Sequence, residues 1–178
     1  METKLKELSC FSISKRWAAL ALLLVGCTGA WADSIVGKVI AVTDGDTIRV
    51  LDAQHIQYKV RLAGIDAPES KQAYGARSKQ NLSDLVFGKT VTVEFTKHDQ
   101  YGRIVGKVLY EKLDMDLQQI EAGLAWHYKQ YAKEQSMEDR LRYADTEVRA
   151  RAAHIGLWFD LNPVPPWEWR RGTKSGPH

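Results

Sequence analysis

Apolar and polar residues alternate along the first part of the chain that has a folding pattern. Residues 34–51, SIVGKVIAVTDGDTIRVL, are rich in β-branched side chains and are interrupted by DGD at 44–46, which predicts two strands joined by a turn. Residues 56–63, IQYKVRLA, alternate strictly after a connection short enough for a hairpin. The apolar face of this stretch consists of Ile56, Tyr58, Val60 and Leu62. The pattern predicts a meander of three strands.

Helical spacing replaces this alternation after Pro68. Residues 73–88, AYGARSKQNLSDLVFG, predict a helix that ends at Gly88. Its apolar positions are Ala76, Leu82, Leu85 and Val86. Two more strands follow, TVTVEFT from residue 90 and RIVGKVLY from residue 103, and residues 114–126, DMDLQQIEAGLAW, predict a second helix.

A third helix is predicted from the spacing of apolar residues between Ser136 and Gly156. The residues that recur at helical intervals are Met137, Leu141, Ala144, Val148 and Ile155. Ser136 and Asp139 resemble a capping box at its start. The remaining residues, 161–178, are rich in proline and arginine, and we expect a tail that lies over the surface or is mobile.

The order of these elements predicts an α+β fold. Three strands, a helix, two strands and two more helices follow one another in the chain. A three-stranded meander followed by a helix and two strands is the order of a five-stranded Greek-key β-barrel of the OB type. We therefore predict an OB-fold barrel with three helices over residues 33–160.

Residues 1–32 have the pattern of an export signal. A basic start is followed by an apolar run, WAALALLLVG, which is too short to span a bilayer, and by AWA at 30–32, which predicts cleavage before Asp33. A competing interpretation is a lipoprotein signal to residue 26, because LVGC at 24–27 fits a lipobox that ends in an acylated Cys27. We expect an exported protein, periplasmic or secreted, attached to a membrane only if Cys27 is lipidated.

Composition adds little once this leader is set aside. Both cysteines, Cys10 and Cys27, lie in the leader, so a chain cleaved after Ala32 has no thiol and no disulfide. The full chain has 25 basic and 22 acidic residues, and removing the leader leaves 21 against 20. Net charge therefore gives no argument for nucleic-acid binding, and any such argument must come from local placement.

Three clusters of charged residues fall at predicted turns and strand ends. The first is Asp44-Gly45-Asp46, and a hairpin turn is its ordinary interpretation. The second lies in RLAGIDAPE, residues 61–69, where Pro68 stiffens the backbone between two acidic residues. The third is DQYGR at 99–103, again a turn sequence that ends in an arginine. Solvated surface charge is the alternative for the second cluster, although the apolar run LAGI beside it argues against a purely exposed loop.

Together the clusters indicate phosphodiester chemistry. Two aspartates from different strand ends can hold a hard divalent cation through oxygen ligands. Two arginines can grip a phosphodiester and neutralise the charge that grows in the transition state. A nearby glutamate can orient or deprotonate a water for in-line attack on phosphorus. The histidines are scattered, which argues against a transition-metal site.

The motifs TDGDTIRV, RLAGIDAPE, YGR and GLAWHYKQY resemble those of the staphylococcal nuclease (thermonuclease) family, in the same order, over about residues 35–158. The resemblance implies an OB-fold nuclease that hydrolyses DNA and RNA with Ca²⁺. It implies that Asp46, Asp66 and the carbonyl of Ala67 face the metal. It also implies that Arg61 and Arg103 clamp the phosphate and that Glu69 is the general base.

The sequence departs from the best-known member of that family in three places. Position 67 is alanine rather than threonine, the loop after Glu69 lacks a lysine-rich insertion, and Gln100 replaces a lysine. Tyr101 and Tyr128 are the remaining candidates for base stacking and phosphate contact, with aromatic packing at the barrel rim as the alternative. We expect single-stranded or locally opened DNA and RNA as partners, no obligate protein partner, and a monomer.

Two other functions are compatible with parts of the sequence. A nuclease-like OB-fold module that binds nucleic acid without cleaving it would require damage to the charged constellation, which is intact here. A structural protein of the cell envelope would explain the leader but would give the charged residues no role. Cleavage, binding without cleavage, and no binding distinguish the three.

Overall fold

Three antiparallel strands begin the fold, as their alternation predicts. The structure, a computed structural model, describes residues 33–174, and the side chains of residues 33–172. Strands β1 (Asp33–Asp44), β2 (Thr47–Asp52) and β3 (Gln57–Leu62) are neighbours in sequence and in the sheet. The predicted meander is confirmed, and DGD forms the turn between β1 and β2.

The sheet closes into a barrel through two later strands. Strand β5 (Thr90–His98) pairs with β1, and β6 (Ile104–Tyr110) pairs with β5. Strand β6 also pairs with β3 in parallel, so the strands β3-β2-β1-β5-β6 form a closed, mixed barrel of five. The short strands β4 (Ile65–Asp66), β7 (Leu113–Asp114) and β8 (Trp126–His127) lie beside it. The predicted α+β OB-type barrel is confirmed.

The barrel interior is filled by the inward-facing residues of its strands. Those that are fully or almost fully buried include Val39, Ile48, Val50, Val60, Leu62, Val93, Ile104 and Val108. Burying one such side chain stabilises the fold by about 1.5–3 kcal/mol relative to leaving it exposed. This rigid core holds the strand ends, and therefore the charged clusters, in place.

The three predicted helices are present, and each is shorter than its predicted range. Helix α1 (Gly75–Val86) follows the meander, and α2 (Met115–Glu121) begins after Asp114, whose carboxylate accepts a hydrogen bond from the Leu117 N–H at 3.0 Å. The sequence pattern extends this second helix to residue 126. In the structure Gly123 adopts a left-handed conformation with φ of 64°, and residues 126–127 form β8 instead.

The predicted apolar face of helix α3 (Met137–Ala152) is wrong. Its stripe residues Met137, Leu141 and Val148 are 64%, 62% and 62% exposed, and Ile155, beyond the helix end, is 43% exposed. The buried residues are Tyr143, Thr146, Glu147 and Ala150.

The partners of polar side chains explain why α3 buries the face with Tyr143 and Glu147 and not the predicted apolar face. The Tyr143 hydroxyl donates to the buried Asp114 carboxylate at 2.8 Å, and Glu147 forms an ion pair with Lys129 at 2.9 Å. Partners of this kind let a helix bury polar side chains, and the spacing of apolar residues does not reveal such partners. The predicted cap is confirmed, since the Asp139 N–H donates to Ser136 Oγ at 3.0 Å.

A fourth helix lies in the segment that the sequence pattern treats as a tail. Helix α4 (Pro166–Lys174) begins with a proline, a residue favoured in the first helical turn because its missing N–H has no intrahelical partner there. The Trp167 ring stacks on Tyr128 with centroids 5.5 Å apart and meets the edge of Trp126 at 5.6 Å. These contacts dock the described part of the segment onto the barrel domain.

The expected leader, residues 1–32 with Cys10 and Cys27, lies outside the described residues, as do residues 175–178. Within 33–174, no helix is both long enough and apolar enough to cross a membrane.

Candidate active site

One cleft collects the charged clusters that are far apart in the sequence. It has a volume of about 690 Å³ and lies at the end of the barrel where β3, the β1–β2 turn and the β5–β6 turn meet. Every residue that the sequence analysis proposes for the site lines it: Asp46, Arg61, Asp66, Ala67, Glu69, Tyr101, Arg103 and Tyr128.

The β1–β2 turn carries Asp46 into the cleft. Gly45 sits against helix α1 and the strand end, because a Cβ added there would lie 1.9 Å from Ser78 Oγ and 2.8 Å from the Ala67 Cβ. The turn is therefore packed against its neighbours and is not a free surface loop. This packing fixes Asp46, whose Oδ2 accepts a hydrogen bond from the Ala67 N–H at 2.9 Å.

Arg61 joins the two aspartates. Its Nη1 lies 3.1 Å from Asp46 Oδ2, and its Nη2 lies 2.9 Å from Asp66 Oδ1. Nη1 also donates to the Leu62 carbonyl at 3.0 Å. Of these contacts, those to Asp66 and Leu62 are hydrogen bonds, donated by Nη2 and Nη1. Within the described residues Nε makes no hydrogen bond, so its N–H is left for another acceptor.

Asp66 is the most deeply buried acid of the group. It lies in β4, which is held by antiparallel pairing with β8, and the residue is 1% exposed. Burial raises the pKa of its carboxyl above the ordinary value, while Arg170 and Arg61 act in the opposite direction. A buried carboxylate is tolerated when cations and hydrogen-bond donors surround it, and Asp66 has both.

The acidic side of the cleft has more negative than positive charge. Burial and the neighbouring Asp46 raise the pKa of Asp44 to about 6, so this carboxyl is largely ionised at neutral pH. The four carboxylates there, Asp44, Asp46, Asp66 and Glu69, face the guanidinium groups of Arg61 and Arg170. The surplus of two negative charges is what a divalent cation would neutralise.

The donor set suits a hard cation. Asp46 and Asp66 supply carboxylate oxygens on adjacent strand ends, and the backbone of Ala67 lies between them. Among the residues from 33 to 174, no group of three or more histidine, cysteine, aspartate or glutamate side chains forms a metal site. A cation here would depend on two carboxylates completed by backbone and water oxygens, which is a ligand type that Ca²⁺ accepts.

Glu69 lies beyond Pro68 on the loop that leads to α1. Its side chain is 39% exposed, and its Oε1 lies 2.7 Å from Nη1 of Arg170. Arg170 comes from helix α4 and also contacts Asp66, with Nη2 2.7 Å from Oδ2. Arg170 is not predicted from the sequence, because a tail rich in basic residues carries no signal of where one arginine folds back.

Arg103 enters the cleft from the opposite side. Its Nε lies 2.7 Å from Asp99 Oδ2, and Asp99 Oδ1 accepts hydrogen bonds from the N–H groups of Tyr101 and Arg103 at 2.9 Å each. Although partial burial of Asp99 acts the other way, these hydrogen bonds lower the pKa of its carboxyl, so it stays ionised. The turn thus holds the guanidinium by Nε, and its Nη groups are the fork that suits a phosphate.

The two tyrosines differ in their surroundings. Tyr101 is 75% exposed at the mouth of the cleft, with the Arg103 guanidinium 5.7 Å from its ring centroid, so its ring is accessible for stacking. Tyr128 is half-buried, its hydroxyl donates to Gln130 at 3.1 Å, and one face of its ring packs on Trp167. That face of Tyr128 is therefore used for aromatic packing, and it is not accessible for stacking on a base.

Comparison with known proteins gives consistent matches. Residues 59–160 match the family described as staphylococcal nuclease homologue. A micrococcal nuclease of Shigella flexneri is 40% identical over 170 residues, covering 90% of this chain and 94% of that protein. Proteins named uncharacterized endonuclease are 42% identical in Escherichia coli, over 88% of this chain and 97% of theirs, and 42% identical in Haemophilus influenzae, over 77% and 74%.

Proposed function

The chain belongs to the staphylococcal nuclease family, and from that premise we propose that it is a calcium-dependent nuclease that hydrolyses phosphodiester bonds of DNA and RNA. The observation that carries the proposal is the cleft itself. It places the Asp46–Arg61–Asp66 network, Glu69 and Arg103 around one space, as hydrolysis of a charged diester requires.

The residues of the cleft have two kinds of role, binding of the phosphate and proton transfer. Arg61 and Arg103 face the space from two sides, and their remaining N–H groups bind the oxygens of the scissile phosphate, whose charge grows in the transition state. Glu69 accepts a proton from the attacking water at its carboxylate and directs that water in line with the leaving oxygen.

Asp46, Asp66 and the carbonyl of Ala67 would hold the Ca²⁺ ion. When bound, the ion supplies positive charge that polarises the phosphoryl oxygen. The buried position of Asp66 and the hydrogen bond from Ala67 to Asp46 keep both carboxylates in place before the ion arrives.

We expect cleavage of both DNA and RNA when the purified domain is supplied with calcium, and no cleavage when a chelator removes it. A site made of two carboxylates, a carbonyl and waters is roomy, which suits Ca²⁺ better than the strict octahedron of Mg²⁺. The measurement is the initial rate on DNA and RNA in Ca²⁺, in Mg²⁺ and with chelator. Equal rates in magnesium would contradict the assigned ligands.

A double variant, Asp46→Asn with Asp66→Asn, purified in the same way, controls for a contaminating nuclease. If the unmodified domain binds nucleic acid in calcium but does not cleave it, the protein is a binding module of the same fold. If it neither binds nor cleaves, the proposed function fails. We also propose that the protein acts as a monomer without an obligate protein partner.

We also propose that the protein is exported, either with residues 1–32 as a cleaved signal or with residues 1–26 as a lipoprotein signal. Mass spectrometry of protein isolated from its native host should show an N-terminus near Asp33 or a lipidated Cys27. The presence of an intact Met1 on that material would exclude both forms of processing.

A further inference from the structure

The C-terminal segment, residues 163–171, holds the loop that carries Glu69. The carbonyl of Val164 in this segment accepts a hydrogen bond from Nε2 of Gln72, which is buried beneath it. Oε1 of the same Gln72 accepts from the Glu69 N–H at 3.1 Å. One glutamine side chain therefore links the Glu69 backbone to the C-terminal segment.

Arg170 makes the second link, directly to the Glu69 side chain. Its Nη1 lies 2.7 Å from Glu69 Oε1 and 3.3 Å from Asp66 Oδ1, while Nη2 lies 2.7 Å from Asp66 Oδ2. A planar guanidinium has its donors in a fixed fork, so it sets the distance between the two carboxylates that it binds. Asp66 is buried and Glu69 is partly exposed, so the fork ties the more exposed acid to the buried one.

The helix that carries Arg170 is itself anchored. Trp167, one turn earlier in α4, stacks on Tyr128 and meets the edge of Trp126, and Trp126 belongs to β8, the strand that pairs with Asp66. The aromatic contacts place the start of α4 relative to the β4–β8 pair. Arg170 is therefore presented to Asp66 from a docked helix and not from a free chain end.

We propose that Arg170 is a positioning residue of the nuclease reaction, which holds the Glu69 carboxylate in place beside Asp66. The proposal rests on the proposed function, because it assigns Glu69 its role in proton transfer. Without Arg170, the half-exposed Glu69 side chain would sample several rotamers, and few of them would place a carboxylate oxygen next to the attacking water.

The charge of Arg170 makes it possible to distinguish a residue that positions Glu69 from one that only competes with the metal ion. A guanidinium beside Asp66 repels a metal ion, so removing it leaves the affinity for calcium unchanged or raises it. An arginine that merely competes with the metal would, when removed, increase the rate at low calcium. A positioning arginine, when removed, lowers the rate at saturating calcium even though the ion binds.

The test compares Arg170→Ala and Arg170→Lys with Arg49→Ala, which removes the same charge from an exposed position on β2 that does not line the cleft. We expect Arg170→Ala to lower kcat on DNA by about tenfold to a hundredfold, as displacement of a reacting group does. KM and the calcium dissociation constant should stay within about threefold of the unmodified protein. Added guanidinium ion should restore part of the rate to Arg170→Ala, and Arg170→Lys should be intermediate.

Hydrogen exchange supplies a readout that does not depend on turnover. The amides of residues 69–75 should exchange faster in Arg170→Ala than in Arg49→Ala, because one of the two links to this loop is gone. Arg170→Lys keeps a cation at the site and serves where the alanine variant fails to fold.

A normal kcat for Arg170→Ala together with unchanged exchange overturns the inference, and cleavage by the unmodified protein then leaves the proposed function standing. A higher rate for Arg170→Ala at low calcium also overturns it, in favour of competition with the metal. If the unmodified protein does not cleave, it is the proposed function that fails.

Discussion

Glu69→Gln should lower turnover on DNA by roughly a hundredfold or more while calcium still binds. The amide keeps the shape of the side chain but accepts no proton from water at neutral pH. Asp46, Asp66 and Ala67, the proposed metal ligands, are untouched by the change. The loss should therefore appear in kcat.

Asp66→Asn should also lower the rate, but for a different reason. The change removes charge from the set of proposed ligands, so calcium affinity should fall together with the rate. It also removes the anion that Arg61 and Arg170 share, although each keeps one other carboxylate partner, and breaking ion pairs at a buried carboxylate destabilises the fold. The melting temperature should thus fall for Asp66→Asn more than for Glu69→Gln.

The measurement is a calorimetric calcium titration of both variants with a nucleotide analogue present, alongside initial rates on DNA and thermal melts. If Glu69→Gln weakens calcium binding as much as Asp66→Asn does, Glu69 belongs to the metal shell and the two roles are assigned wrongly. If neither variant changes the rate, the charges of residues 61–69 are structural.

Replacing either clamp arginine by lysine should cost well over tenfold in rate, or more than about 1.4 kcal/mol of barrier. Lysine keeps the charge but loses the fork that matches two phosphate oxygens. Arg103→Lys is the cleaner of the two, because the Arg103 side chain contacts Asp99 through Nε, and the lysine can keep that ion pair. Arg61→Lys also gives up the bridge between Asp46 and Asp66.

Arg49→Lys is a matched control, since Arg49 is exposed on strand β2 and does not line the cleft. It should leave the initial rate unchanged. A nearly normal rate for Arg103→Lys would show that this guanidinium is a surface charge held by its turn, without a role in binding the phosphate.

The barrel was predictable from sequence because its strands are short and half-buried. In such strands apolar and polar residues alternate with a period of two, which separates the inward from the outward face. In β3, Val60 and Leu62 are buried, whereas Lys59 and Arg61 lie on the other face. The chain order of strands and helices then restricts the topology to few arrangements. The residues at the strand ends that line the cleft were also predicted, because ordered motifs carry them.

Helix α3 shows where periodicity fails. Met137, Leu141 and Val148 have helical spacing, yet they face solvent, while Tyr143 and Glu147 are buried. A sequence shows how hydrophobic a side chain is. It does not show whether a buried partner such as Asp114 accepts a hydrogen bond from the hydroxyl of that side chain. Which face of a helix is buried depends on those partners, and they come from distant elements.

The sequence by itself therefore determined the strands, their order and most of the chemical groups at the cleft, because these follow from local periodicity and from motifs within a few residues. The link between Arg170 and the acids at positions 66 and 69 arises only in the folded chain, across more than a hundred residues. It exists because Trp167 stacks on Tyr128 and the β4–β8 pair holds Asp66 within reach of α4. Contacts of that range depend on how packed surfaces meet, and no local pattern in the chain encodes them.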